Sequence, residues 1–347
     1  MTNTVAHSSK RKPIAILTEE SKAKSFAINK ARTDIDTIIK ESGSYHVIQM
    51  GSTSRIGFFR VIKRYYDIYS LLLRLKHGDS VFFQFPWIHN NKDKFYSFLF
   101  KKETKVTCVI HDLDSLRSNG KNQEYEIDIL KKCHHIIAHT PSMKQYLVDM
   151  GISSDKIECL YLFCYLTDDP IRSLPNNIYN TIIFAGNLTK SRFVNHLHEI
   201  ASPQLSFNLY GNGSDLFRPS EYVKYRGAFQ PNHPGIIEGN WGLVWDGDSI
   251  DTCSGMFGEY LKYNSSHKFS LYLSLGIPVI IWEQSSLKSF IIEQKLGIAV
   301  KSLKEITSVI GSLSKAEITT IRNNVISFSA NIRTGKSFKN MIENYCL

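Results

Sequence analysis

No apolar run in the 347-residue chain approaches the roughly 18 to 20 residues needed to span a bilayer. The first 25 residues are polar and basic and lack the apolar core of a secretory signal, so a cytoplasmic protein is expected. Neither GxxxxGK[ST] nor GxGxxG occurs, which argues against a P-loop NTPase or an ordinary dinucleotide enzyme. No GxSxG nucleophile motif is present. Glycine (20) and proline (10) are too sparse for collagen-like or linker-like sequence. The six cysteines, at 108, 133, 159, 164, 253 and 346, form no CxxC pair, so buried reduced thiols are expected rather than a zinc site or a disulfide framework.

What is present can build full cores: 42% of residues are hydrophobic and 21% charged. Lys and Arg number 42 against 32 Asp and Glu, a net charge of +10. Most of the excess is local. Arg55 to Lys105 holds eleven Lys and Arg against Asp67, Asp79, Asp93 and Glu103, a net +7. An anionic partner is implied: nucleic acid, anionic membrane or a phosphorylated substrate. No RNA- or DNA-binding module is visible, which disfavours nucleic acid.

Short apolar runs recur from Pro13 to Leu17, Val47 to Met50, Ser80 to Phe85, Lys105 to Ile110, His135 to Ala138 and Ile157 to Leu162. Helical patterns separate them, at about 21–41, 56–76, 90–101, 123–132 and 142–150. After a polar stretch with two prolines, Thr167 to Asn177, the alternation restarts. Strands are expected at 181–185, 206–210, 241–245, 277–282 and 297–300, with a helix from His267 to Leu275 capped by Gly276. The pattern is α/β, with two parallel-sheet units either side of residue 170 and a ligand cleft at their carboxyl strand ends. Residues 1–12 read as a disordered basic tail. Helix 56–75 carries apolar residues at helical spacing with basic residues between. It packs on the sheet, or it meets a membrane or another subunit.

Chemistry concentrates in 245–268, WDGDSIDTCSGMFGEYLKYNSSHK. Asn264, Ser265 or Ser266 can cap the helix that follows. His267 and Lys268 then sit at its positive dipole end, where basic side chains call for an anion such as a diphosphate. Gly186-Asn187-Leu188-Thr189-Lys190 and Tyr210-Gly211-Asn212-Gly213 stand at strand ends where backbone can approach a ligand, with Lys190 reaching a phosphate. Asp246, Gly247 and Asp248 follow another strand; the acids there could hold a divalent ion, or bond a sugar or the turn itself. In the first half, His111 and Asp112 leave a buried strand, and either could take a proton from an acceptor hydroxyl, or serve the fold alone. His134, His135 and His139 lack the carboxylate neighbours that would favour a metal site.

The block WDGDSIDTCSGMFGEYLKYNSSHKFSLYLSLGIPVIIW resembles bacterial β-1,6-galactofuranosyltransferases of O-antigen synthesis, a group similar to the glucosyltransferases that extend sugars on serine-rich adhesins. IHDLDSLR and FAGNL resemble two further blocks in the same order, and the similarity covers most of 13–340. The resemblance implies a GT-B enzyme: an acceptor domain at 13–170, a nucleotide-sugar domain at 171–315, and helices over 316–347 returning to the first domain. It also implies a UDP-sugar donor, a saccharide acceptor that is lipid-linked or part of a glycoprotein or polysaccharide repeat, an inverting reaction, no metal or other cofactor, and a homo-oligomer in the adhesin branch. By motif, Gly186, Asn187, Lys190, Tyr210 and Gly211 would face the nucleotide-sugar, and Asn264, His267 and Lys268 its diphosphate. Asp246, Gly247 and Asp248 would lie near the sugar or ribose, with Asp112 the favoured base and His111 second. A glucosyltransferase and a catalytically inert sugar-nucleotide sensor are the competing expectations.

Overall fold

The computed structural model describes residues 12–18, 27–50, 57–88, 91–118, 120–172, 180–213 and 217–346. The expected basic tail, the first turns of the helix expected from 21, and the second half of the proline-containing connector lie outside these residues.

The first unit runs β1 (Ile14–Thr18), α1 (Ala27–Ser42), β2 (His46–Met50), α2 (Gly57–Arg74), β3 (Ser80–Phe85), α3 (Lys92–Lys101), β4 (Lys105–Ile110), α4 (Asp114–Arg117), α5 (Gln123–Lys132), β5 (His135–Ala138), α6 (Pro141–Asp149) and β6 (Ile157–Cys159). Its sheet has the order β2-β1-β3-β4-β5-β6, and every pairing is parallel. Alternate residues face opposite ways along a strand. Ile14, Ile16, Phe83 and Ile110 therefore build one core with Ile68 of α2 and Phe95 of α3, while Ala15, Leu17, Phe82 and Val109 build another with Ile35 of α1.

The second unit runs β7 (Asn180–Ala185), β8 (Leu205–Tyr210), β9 (Val223–Tyr225), β10 (Trp241–Val244), α7 (Gly255–Tyr260), α8 (His267–Ser274), β11 (Val279–Trp282), α9 (Lys288–Glu293), β12 (Gly297–Val300), α10 (Ile306–Ser312), α11 (Lys315–Thr334) and α12 (Lys336–Cys346). Its sheet, β12-β11-β10-β7-β8-β9, is also all parallel. The connection from β7 to β8 is a 3-10 segment, Arg192–Glu199, whose Phe193, Val194 and Leu197 are buried. Five cysteines, at 108, 133, 159, 164 and 253, are free thiols.

Two departures from the expected elements have local causes. The strand expected over 157–162 stops at Cys159, because Tyr161 takes a left-handed backbone, φ 61°. The return to the first unit, expected across 316–347, is made by α12 alone. Helix α11 stays on the second unit, burying Ile321, Val325 and Ile332 in that core. Gly335, at φ 63°, ends α11 and turns the chain so that Phe338 and Ile342 of α12 enter the core against α1 and Phe82. Among the described residues no helix is long and apolar enough to cross a membrane.

Phe338 is 2% exposed, so Phe338→Ala should remove about 3 kcal/mol of stability through the cavity it leaves. Equilibrium unfolding in guanidinium measures this; a loss below about 1 kcal/mol would mean that α12 is not docked as described.

Candidate active site

The carboxyl ends of both sheets face one another across a cleft. His111 and Asp112 follow β4, His139 follows β5, Gly186 and Asn187 follow β7, and Asp246 lies two residues beyond β10. All six line the cleft, with Arg117 of α4, Lys190, Phe257 and Tyr260 of α7, and Asn264 to Lys268 at the start of α8. A more apolar lobe continues from it over Tyr165, Gly211, Asn212, Ala228, Phe229, Pro231 and Leu271.

The start of α8 is held from the first unit. The His139 Nε2–H donates to the Ile110 carbonyl at 2.9 Å, which leaves Nδ1 to accept the Ser265 N–H at 3.1 Å. The Thr140 hydroxyl donates to the Tyr263 carbonyl at 2.6 Å. Ser266 occupies the N-cap position without a side-chain capping bond. Ser265 Oγ and Asn264 Oδ1 are buried without a hydrogen-bond partner. A helix N-terminus with uncapped N–H groups and an unpartnered Ser265 hydroxyl is suited to an oxyanion, whereas Asn264 Oδ1, an acceptor, calls for a donor such as a ligand hydroxyl.

The charges here differ from what the sequence implies. Lys268 does not wait for an external anion: its Nζ bonds both Asp246 oxygens, at 2.9 and 2.8 Å. The Ser191 hydroxyl donates to the same carboxylate at 3.1 Å. His267 stacks on Tyr165, ring centroids 5.0 Å apart, and burial lowers its pKa to about 4. It is a neutral hydrogen-bonding group at neutral pH, not a cation beside a diphosphate.

Three expected residues lie elsewhere. Tyr210 is buried, and its hydroxyl accepts the Glu238 N–H at 3.0 Å, away from the cleft. Gly247 faces backbone rather than ligand space: a Cβ there would lie 2.1 Å from the Ser254 carbonyl oxygen. Asp248, one residue on, is exposed and outside the lining. Gly211 does line the apolar lobe, and a Cβ there would lie 1.8 Å from the Gly186 oxygen. Only glycine permits the two strand ends to pass so closely.

On the opposite wall, Asp112 Oδ2 pairs with Arg117 Nη1 at 2.9 Å, and Oδ1 accepts the Tyr260 hydroxyl at 3.3 Å. Burial pushes the Asp112 carboxyl above its usual range, with Arg117 opposing. Arg117 also lies 5.9 Å from the ring centroids of Phe257 and Tyr260. His111 is buried, bonds Gln84 Oε1 at 2.6 Å, and is held neutral by burial. Arg117, Tyr260 and His139 escape a sequence reading, although Arg117 and Tyr260 lie inside two of the three motif blocks. Nothing in a linear pattern puts an α4 arginine against an α7 tyrosine. Among the described residues no group of three or more His, Cys, Asp or Glu is arranged to hold a metal ion.

Two facing parallel α/β units with a polar cleft between their strand ends form the GT-B fold of glycosyltransferases. The chain matches the N-terminal domain of the glucosyltransferase 3-like family over residues 14–161 and the C-terminal domain over 182–345. It is 33% identical over 278 residues to the β-1,6-galactofuranosyltransferase WbbI of Escherichia coli K12, covering 79% of this chain and 81% of that one. Glucosyltransferase 3 of Streptococcus gordonii is 26% identical over 314 residues, covering 83% and 89%. In structure, the chain is similar to Anabaena HepE solved with UDP and glucose, at TM-score 0.58 and 11% identity, covering 96% and 99%. The protein belongs to the glucosyltransferase 3-like family and is a glycosyltransferase.

The neutrality of His139 has a measurable consequence. Burial lowers its pKa from 6.5 to about 4. Between those values the unfolded chain takes up a proton that the folded chain refuses, so the stability present above pH 6.5 is lost as pH falls. The loss at about pH 5 should be on the order of 2 kcal/mol. Urea unfolding at the two pH values should show it, and His139→Gln should lessen the pH dependence. An identical dependence in that variant would contradict the assignment.

Proposed function

We propose that the protein is an inverting, metal-independent glycosyltransferase that moves a hexose, galactofuranose in the first instance, from a UDP-sugar to a saccharide acceptor in surface polysaccharide synthesis. The observation that carries this reading is the start of α8. Uncapped N–H groups, the unpartnered Ser265 hydroxyl and the Lys268 ammonium converge there, across the cleft from Asp112. Departure of UDP builds negative charge on the diphosphate, and these groups stabilise it without a metal. Lys268 exchanges Asp246 for the diphosphate, which leaves that carboxylate to accept a sugar hydroxyl. Gly186, Asn187 and Lys190 line the passage toward the apolar lobe, where Tyr165, Phe229 and Leu271 offer apolar surface to the nucleoside.

Asp112 is the base. Its raised pKa brings the carboxylate nearer to the acceptor proton in basicity, and Arg117 and Tyr260 fix its direction. The acceptor oxygen attacks the anomeric carbon as its proton passes to Asp112; the bond to the UDP oxygen breaks, and the carbon inverts. Identity to WbbI favours galactofuranose as the sugar moved, and the basic, aromatic segment Arg55 to Lys105 favours a lipid-linked saccharide acceptor. The family match and the coverage of glucosyltransferase 3 favour UDP-glucose as the second reading.

UDP release from a donor panel in EDTA, with and without simple galactosides and glucosides, tests the assignment. Turnover of UDP-galactofuranose is expected; turnover of UDP-glucose alone would move the enzyme to the second reading, and activity that requires a divalent ion would sink the metal-independent mechanism. Asp112→Asn should keep UDP binding and lose transfer by about 10²- to 10⁴-fold. Lys268→Ala should weaken UDP by at least about tenfold, as loss of a charge-assisted bond implies. Normal turnover in the first variant, or unchanged UDP affinity in the second, would place base or diphosphate elsewhere.

A further inference from the structure

Helix α2 is apolar on two sides. Ile68, Leu71 and the following Leu75 are buried against the first sheet. Ile62, Tyr65, Tyr66, Tyr69 and Leu73 point the other way, spaced at 3, 1, 3 and 4 residues, and so form one stripe along the helix. Burial of the core does not explain them: Tyr66 is 67% and Leu73 86% exposed. Scattered surface apolar residues are ordinary, but a continuous stripe about three turns long marks a contact.

The border of the stripe is basic. Lys94 of α3 sits over Tyr65 and Tyr69, 4.8 and 5.9 Å from their ring centroids. Phe98, one turn on, touches Tyr69 with ring centroids 5.5 Å apart. Lys101 follows Lys94 by seven residues on the same helix and is exposed. Lys63 pairs with Asp67 at 3.0 Å, so it adds little net charge. The segment Arg55 to Lys105 as a whole carries a net +7.

We propose that the α2 stripe, with the basic edge of α3, is a docking face for an anionic lipid surface. Aromatic and aliphatic side chains flanked by lysines match the layered polarity of a bilayer interface, with hydrocarbon inside and anionic headgroups outside. A second copy of the chain fits less well. A two-fold contact would set the same positive patch against itself, and the cores of protein interfaces are depleted of lysine. This inference does not depend on the donor or on the catalytic assignment. It would bring the first unit to the surface where a lipid-linked saccharide resides.

Co-sedimentation of the full chain with phosphatidylcholine vesicles, with and without phosphatidylglycerol, tests it. The wild type should pellet with the anionic vesicles and not with the neutral ones, and salt should release it. Tyr66→Ser with Leu73→Ser, and separately Lys94→Glu with Lys101→Glu, should each lower binding by at least about tenfold. None of the four side chains lines the cleft, so UDP release with a soluble acceptor should be unchanged in both variants and reports that they fold. Wild-type protein that stays in the supernatant with both vesicles would overturn the proposal, as would either variant pelleting like wild type. A wild-type dimer in sedimentation equilibrium that the serine variant abolishes would assign the stripe to a second copy instead.

Discussion

One neutral imidazole joins the two halves of the cleft. His139 gives its proton to the strand end of β4 and takes the Ser265 N–H with its other nitrogen, so the segment before α8 is anchored to the first unit. Thr140 to Tyr263 and Ser270 to Phe163 add two hydrogen bonds to the same seam. A charged His139 would put a proton where the Ser265 N–H must enter. Burial prevents this by keeping the pKa low. The N-terminus of α8 thus keeps a fixed place relative to Asp112, which the proposed mechanism needs of a donor site and its base.

The same seam explains how a basic cleft stays stable before any ligand arrives. A buried or half-buried charge without a partner is costly, and Lys268 and Arg117 each have a partner on their own chain. Lys268 rests on Asp246, and Arg117 rests on Asp112. The neutral groups do not: Asn264 and Ser265 leave oxygens unpaired. Under the proposed mechanism, the diphosphate accepts from the Ser265 hydroxyl and replaces Asp246 at Lys268, while a hydroxyl of the donor satisfies the Asn264 oxygen, so part of the desolvation cost is already met before the donor binds.

Much of the architecture is visible in the sequence because the sheets are buried on both faces. Runs such as Ser80 to Phe85 and Lys105 to Ile110 can be little else than parallel strands between helices, and they fold so. Residues at strand ends, such as Asp112 and Gly186, are legible for the same reason: the fold puts such positions in the cleft, as it does Lys268 at the start of α8. Direction within a turn is not legible. Asp246 faces the cleft, while Gly247 and Asp248, its next neighbours, turn toward Ser254 and solvent. Tyr210 fails similarly, since its hydroxyl finds Glu238 on a loop some thirty residues away. The end of β6 turns on one left-handed residue, Tyr161, for which a tyrosine gives no warning. The persistence of α11 on the second unit is set by Ile321, Val325 and Ile332, whose spacing fits either core.

The central claim is that the start of α8 receives the diphosphate of the donor. A crystal structure with UDP tests it most directly. The β-phosphate should lie within hydrogen-bonding distance of the N–H groups at His267 and Lys268 and of the Ser265 hydroxyl, with the Lys268 to Asp246 pair broken. UDP seated elsewhere, with that pair intact and Ser265 still without a partner, would contradict it.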